Sequence, residues 1–361
     1  MTDRRNPALP TLFGLKVGAL TLLLAFTPSC IEPPPRVVTI DFLAFSTTVS
    51  LSVYAPSNDF YLTTVPAIEA RLATLDTRWR SFGDGSLGRL NDALERSDCA
   101  TTDADTHALI VRALDYRVRS QGLFDPTLGI EVDHHGFRDT AQTERAELPT
   151  RKGAVSITDS TICADGPVRL DLGGIAKGAI ALDLATLLRN HNAPDAIINL
   201  GGDLLVLGTR GPQPWRVAIQ HPRAPGVIAT FDVHDGTAVF SSGDYFRRRP
   251  APTLEHADHD GSARGTADID AVRARPRDDV GPHHILDPRT GNPARGAIAT
   301  TVMHSDPVLA DVAATALMVA GPQSFEEIAA RLEIDEALLI DAELAVHRLP
   351  GTSVELPIRL R

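Results

Sequence analysis

Leu170-Asp171-Leu172-Gly173-Gly174-Ile175-Ala176-Lys177-Gly178 is the stretch from which the rest of the chain is read outward. A strand-like start gives way to two adjacent glycines and then to the helical run Ala179 to Arg189. Glycines at such a junction let backbone N–H groups approach an anion at a helix N-terminus, and Lys177 adds a cation in the same turn. Most glycine-rich turns only redirect the chain, so this one leaves phosphate binding and simple turning both open. Downstream, Ala196 to Leu200 is a short apolar strand ending at Gly201-Gly202-Asp203, and Val217 to Gln220 and Val227 to Val233 carry strand residues. Val308 to Val319 is an apolar helix that includes Asp311 and Thr315. Upstream, Val37 to Tyr54 reads as strands, and Pro66 to Trp79 as an amphipathic helix with Ile68, Leu72, Leu75 and Trp79 on one face. A polar loop is expected over Ser81 to Gly88, then a helix from Thr106 to Gln121 capped by Asp105 or Thr106. With no internal repeat and no clean linker in this body, one domain is expected over 37–361.

The chain has 361 residues, 43% hydrophobic and 22% charged, enough for a full core. Its net charge of -11 argues against a nucleic-acid partner, but local donors or a metal can still hold a phosphate. Arg4, Arg5 and Lys16 precede an apolar run from Val17 to Phe26, followed by small residues and Cys30. Basic, apolar and small segments in that order predict a signal peptide over 1–30. The apolar run is about ten residues, half of what a spanning helix needs. Cys30 before Pro33-Pro34-Pro35 resembles a lipoprotein processing site, so an exported protein is expected, anchored in the cell envelope through a lipid on Cys30, with a Pro-rich linker over 31–36. Simple cleavage without lipid is the alternative. In an oxidising compartment Cys99 and Cys163 could pair or stay separate thiols. Arg247 to Val280 lacks periodicity and is expected to be a mobile surface insertion.

Four further segments carry residues suited to chemistry. Asp311 and Thr315, four apart on a helix, share a face and offer hard oxygen donors of the kind Mg²⁺ takes. In an apolar setting they could equally be a polar pair satisfied by backbone. His283-His284-Ile285-Leu286-Asp287-Pro288-Arg289-Thr290-Gly291 places a possible general base, His284, beside tight turns, although the chain has twelve histidines. Gly122-Leu123-Phe124-Asp125-Pro126-Thr127 and Ser241-Ser242-Gly243-Asp244-Tyr245 are turns that each combine an aromatic and an acid.

In this order and spacing, the segments resemble the ApbE family of FAD:protein FMN transferases, over Val37 to about Gly321. The resemblance implies a single α+β domain with mixed, largely antiparallel sheets packed by helices. It implies FAD as substrate, Mg²⁺ as cofactor, and a threonine of a partner protein, expected to be a membrane redox subunit, as the FMN acceptor with AMP released. Carried onto this chain, Asp311 and Thr315 would ligate Mg²⁺ by side chain and Gly174 by its carbonyl. Phe82, Leu123, Phe124, Asp125, Asp171, Lys177 and Asp244 would contact FAD, and His284 would take the threonine proton. Where the family has Met-Gly-Thr near its first strand, the matching stretch here is Ser46-Thr47-Thr48, and the segment Ser81 to Asn91 is one residue shorter. Both departures touch FAD packing. Attack by water instead of threonine, giving FMN and AMP, is the alternative chemistry, and flavin binding without turnover is the alternative from another class.

Overall fold

The computed structural model describes residues 36–137, 148, 153–245, 282–354, 356 and 360, all within one compact unit, Arg36–Arg361. The expected signal peptide with Cys30, the linker before Arg36 and the expected insertion at 247–280 lie outside the described residues. The first strands, β1 (Val37–Ala44) and β2 (Thr47–Tyr54), pair antiparallel with Ala44 opposite Thr47. Their two-residue turn, Phe45-Ser46, has positive φ at both positions (54° and 56°), the geometry that matches strand twist but usually selects Asn-Gly.

A π-helical turn, Phe60–Thr64, leads into α1 (Val65–Trp79), which buries Ile68, Leu72, Leu75 and Trp79 as its spacing predicts. Next come α2 (Ser86–Glu95), β3 (Cys99–Thr101), α3 (Ala104–Arg119), α4 (Gly129–His134), β4 (Val155–Thr158) and β5 (Thr161–Ala164). Helix α3 is capped by Asp103, whose side chain accepts from the Thr106 amide at 3.1 Å, not by Asp105 or Thr106. Its C-cap is Ser120, one residue before the expected end. Cys99 and Cys163 lie opposite each other in β3 and β5 and form a disulfide, which settles the open pairing.

Helix α5 (Ala176–Asn190) is followed by β6 (Ala196–Leu200), β7 (Asp203–Leu207), β8 (Trp215–Gln220), β9 (Val227–Val233) and β10 (Ala238–Gly243). The last elements are β11 (Leu286–Asp287), β12 (Asn292–Pro293), β13 (Ala297–His304), α6 (Pro307–Arg331), β14 (Glu336–Asp341) and β15 (Val346–Arg348). The main sheet has the order β1-β2-β6-β7-β10-β13-β14-β15, and each neighbouring pair in it is antiparallel.

Alternation along the strands gives this sheet two buried faces. Ala238, Phe240, Val302, Ala337 and Leu339 join the core shared with α1, α5 and α6, whereas Val239, Met303 and Leu338 pack with Trp215 and Val217 of the β8–β9 ribbon. Covered on both sides, β13 is buried over seven of its eight residues. Helix α6 is long and apolar enough to cross a membrane by composition, yet it is mostly buried against the sheet. It runs past the expected end at Val319 to Arg331, kinking at Gly321 (φ 67°, ψ 178°) before Pro322, where proline cannot continue the hydrogen-bond ladder.

Candidate functional site

The site is built where α5 begins beside α6. The Gly178 amide in the first turn of α5 donates to the Asp311 carboxylate at 3.0 Å, so Asp311 occupies the helix N-terminus that the glycine-rich stretch offered to an anion. Gly178 must be glycine for this approach: a Cβ there would stand 2.3 Å from the Pro307 carbonyl oxygen. The Gly173 amide is taken by Asp171 at 2.7 Å in a local turn. The Gly173 and Gly178 amides are thus taken by carboxylates and those of Ile175 and Ala176 by the Leu172 carbonyl, which leaves charge neutralisation of a phosphate mainly to a cation.

Asp311 is 4% exposed. Burial pushes its pKa up to about 7, with the Lys177 cation opposing and the Asp203 carboxylate adding to the rise. Lys177 forms an ion pair with Asp203, whose other oxygen accepts from the Ser241 amide at 2.7 Å. Two buried acids therefore share one lysine, and a further cation beside Asp311 would stabilise its ionised form. Thr315 lies one turn along α6, with its Oγ1 3.2 Å from Ser242 Oγ on β10. A Cβ at Gly174 would fall 3.5 Å from Thr315 Oγ1 and 3.1 Å from the Phe124 ring, which places Gly174, Thr315 and Phe124 together. Carboxylate, hydroxyl and carbonyl oxygens form a hard donor set that fits Mg²⁺. Among the described residues no cluster of three or more His, Cys, Asp or Glu is arranged for a metal, so this mixed set is the metal candidate.

The remaining predicted residues frame this centre. Leu123 and Phe124 are buried, and Asp125 turns back to accept from the Thr127 amide at 2.9 Å while pairing with Arg117 at 3.0 Å. That turn is held against the glycine-rich segment by the Asp171 amide, which donates to Pro126 O at 2.7 Å. Phe82 is half-buried with the Arg80 guanidinium 5.7 Å from its ring centre. Its loop is tied to the same segment by Asn91, which donates to Ser81 O and Leu170 O and accepts from the Leu170 amide. Asp244 is held by a bidentate contact from Arg223 at 2.5 and 2.7 Å. The neighbouring Tyr245 hydroxyl is pushed up to about 12 by burial and by the nearby carboxylates.

His284, half-buried, sits at the base of the β11–β12 hairpin, which Arg289 ties to Val319 O of α6 at 3.4 Å. Next to it, His283 is bonded through Nε2 to Ala294 O at 2.9 Å. Thr47 of the altered Ser46-Thr47-Thr48 stretch packs on Gly201: a Cβ there would meet Thr47 Oγ1 at 2.4 Å. Asp203, Arg223 and Asn91 are not singled out as site residues from the sequence, because each meets a partner distant along the chain. Of these, Asp203 has a local signal, since it closes the Gly201-Gly202-Asp203 turn. A shallow cleft between α1 and the start of α2, lined by Thr74, Arg78 and Arg89, contains none of the predicted site residues.

Comparison with known proteins bears on this arrangement as a whole. The chain is 31% identical to the FAD:protein FMN transferase of Rhodobacter capsulatus over 98% of its own length and 64% of that protein's. It is 28% identical to the Treponema pallidum protein of the same name, over 66% of each. The chain thus spans slightly under two thirds of the length of both relatives. The crystal structure of the ApbE protein of Thermotoga maritima superposes with a TM-score of 0.71 at 25% identity, covering 87% of this chain and 97% of that one. The flavin transferase ApbE of Vibrio cholerae, at 22% identity and a TM-score of 0.68 over 88% and 98%, shares the fold. The model of the ApbE family matches residues 45–339, a span that takes in every predicted site residue from Phe82 to Thr315, and the chain belongs to that family.

Proposed function

We propose that this protein transfers FMN from FAD to a threonine hydroxyl of a partner protein, with Mg²⁺ as cofactor. The observation that carries the reading is the meeting of Gly174, Asp311 and Thr315 at the start of α5, inside a span matched to the family whose curated relatives are named FAD:protein FMN transferase. Mg²⁺ held by the two side chains and the Gly174 carbonyl would neutralise charge on the FAD pyrophosphate. Leu123, Phe124 and Phe82 offer apolar surface to the nucleotide, and Lys177 and Asp171 border the pyrophosphate. His284 takes the proton from the threonine Oγ as that oxygen bonds to the FMN-side phosphorus. The bond from this phosphorus to the bridging oxygen breaks, and AMP departs with that oxygen. In this reading the protein works as an exported lipoprotein anchored through Cys30, and its acceptor is a membrane redox subunit.

The test incubates the protein with FAD, with and without Mg²⁺ and a threonine-bearing acceptor, and follows AMP by chromatography. AMP that needs both, with a fluorescent acceptor, supports transfer. Mg²⁺-dependent AMP without acceptor assigns FAD hydrolysis instead. FAD binding with no AMP in any mixture leaves a flavin-binding protein without turnover.

A further inference from the structure

His284 is carried on a short hairpin whose two strands have only two residues each, so something outside the hairpin must fix where it stands. The tip is held from α4. His135, the C-cap of that helix, donates from Nε2 to Gly291 O at 2.7 Å, across 156 residues of sequence. Glu131, one helical turn earlier, packs at the same spot, with its Cγ 3.8 Å from where a Gly291 Cβ would lie.

Helix α4 is in turn fastened to the FAD-facing segments. It follows directly on the Leu123 to Thr127 turn. The Gly129 amide donates to Arg169 O at 3.0 Å, and the Arg169 guanidinium pairs with Asp133 and with Glu95 of α2. Gly129 makes room for this, since a Cβ there would stand 2.7 Å from the Arg169 side chain. Arg169 lies two residues before Asp171. One continuous set of contacts therefore runs from the Phe124 and Asp171 segments through α4 to the tip of the hairpin that has His284 at its base.

We propose that His135 is a positioning residue, fixing the His284 hairpin relative to the segments that face FAD. This rests on His284 acting as the base. A misplacement of about 1 Å at a reacting group can cost on the order of 100-fold in rate. The expected result for His135→Ala is a fall of roughly 10- to 100-fold in kcat for FMN transfer, with KM for FAD within about twofold of wild type. His135→Gln, whose amide also donates, restores kcat to within about threefold. His135→Asn, too short to reach Gly291, behaves like Ala and serves if the Ala variant folds poorly.

Hydrogen–deuterium exchange of 284–294 reads the anchor without turnover and is expected to quicken in the Ala and Asn variants but not in Gln. A kcat within twofold of wild type for His135→Ala, a parallel loss of FAD affinity, no rescue by Gln, or unchanged exchange each overturns the proposal. His284→Ala runs alongside: full activity there removes the reading of the base and the positioning role with it. An inactive His284→Ala beside an active His135→Ala removes the positioning role alone.

Discussion

The Gly178 amide and the Asp311 carboxylate, 133 residues apart in sequence, meet at 3.0 Å and join the first turn of α5 to the first turns of α6. The contact makes Asp311 both a structural acceptor and the best-placed acid for a metal. Those two roles respond differently to substitution. Asp311→Asn keeps an oxygen for the Gly178 amide and should stay folded, with AMP release down roughly 100- to 1,000-fold, as for loss of one group that stabilises developing charge. Asp311→Ala also leaves the amide unsatisfied and should lose a further 1–3 kcal/mol or so of stability. Denaturant melts of the two variants beside their AMP release separate the roles. Equal activity in wild type and Asn would remove Asp311 from the metal site.

Gly174→Ala tests the opposite wall. The new methyl would meet the Phe124 ring at 3.1 Å and Thr315 Oγ1 at 3.5 Å, contacts that a small shift relieves. Stability should therefore change by only about 1 kcal/mol or less, while the Mg²⁺ concentration for half-maximal activity rises severalfold. A Mg²⁺ titration at saturating FAD reads this directly.

Much of this site was legible because its parts are local. Asp311 and Thr315 follow helix spacing, and Asp171 to Gly178 and Gly122 to Thr127 announce themselves as turns. Helix α2 was hidden because Gly83, Gly85 and Gly88 make Ser81 to Gly88 read as loop. Gly88 lies inside the helix because a Cβ there would come within 2.1 Å of Gly83 O, a packing demand that has no sequence signal. The strands β10, β13 and β14 are apolar runs whose partners are fixed only by tertiary pairing, so their burial on two faces was not readable beforehand. Arg223 and His135 meet their partners 21 and 156 residues away, beyond any local pattern.

The disulfide should matter for stability more than for chemistry. It joins β3 to β5 across a sequence separation of 64, in a three-stranded sheet separate from the main sheet. Closing a loop of that size removes denatured-state freedom worth about 4 kcal/mol by loop-closure entropy, with net gains of about 2–4 kcal/mol typical. Replacing both Cys99 and Cys163 by Ser, or adding reductant, should lower Tm by several degrees and leave kcat within about twofold. A thermal melt with and without reductant checks it. An unchanged Tm would mean the pair contributes nothing to the folded protein.

Asp133 gives the fold a pH dependence of definite sign. Burial pushes its pKa up to about 6, with Arg169 opposing, and Asp171 and Glu95 adding to the rise. The folded state then holds this proton more tightly than the unfolded chain, whose carboxyl titrates near 4. The Asp133 contribution is complete below pH ~4 and is lost as pH rises through about 6. Asp133→Asn cannot titrate, so its stability should fall less than that of wild type across this window. Urea midpoints at pH 4.5 and 7 measure the difference, and parallel losses in both proteins would assign the dependence to other groups.

Among the described residues, Lys177 is the cation that acts on both buried acids of the centre, pairing with Asp203 and opposing the charge of Asp311. Removing it in Lys177→Met leaves those carboxylates without their counter-charge, a change that typically costs about 3–5 kcal/mol when one partner of a buried pair is lost. Two compensations follow from the geometry. Asp203→Asn keeps the acceptor for the Ser241 amide while removing one charge, so the Lys177→Met, Asp203→Asn double variant should be more stable than Lys177→Met alone. Mg²⁺ should compensate as well. A divalent cation at Asp311 supplies the missing positive charge, and a ligand that binds only the folded state raises stability as its concentration exceeds its Kd. Millimolar Mg²⁺ should thus raise the Tm of Lys177→Met more than that of wild type, and should do so little or not at all in Asp311→Asn. Mg²⁺ shifting all three alike would place the ion somewhere other than the junction of α5 and α6.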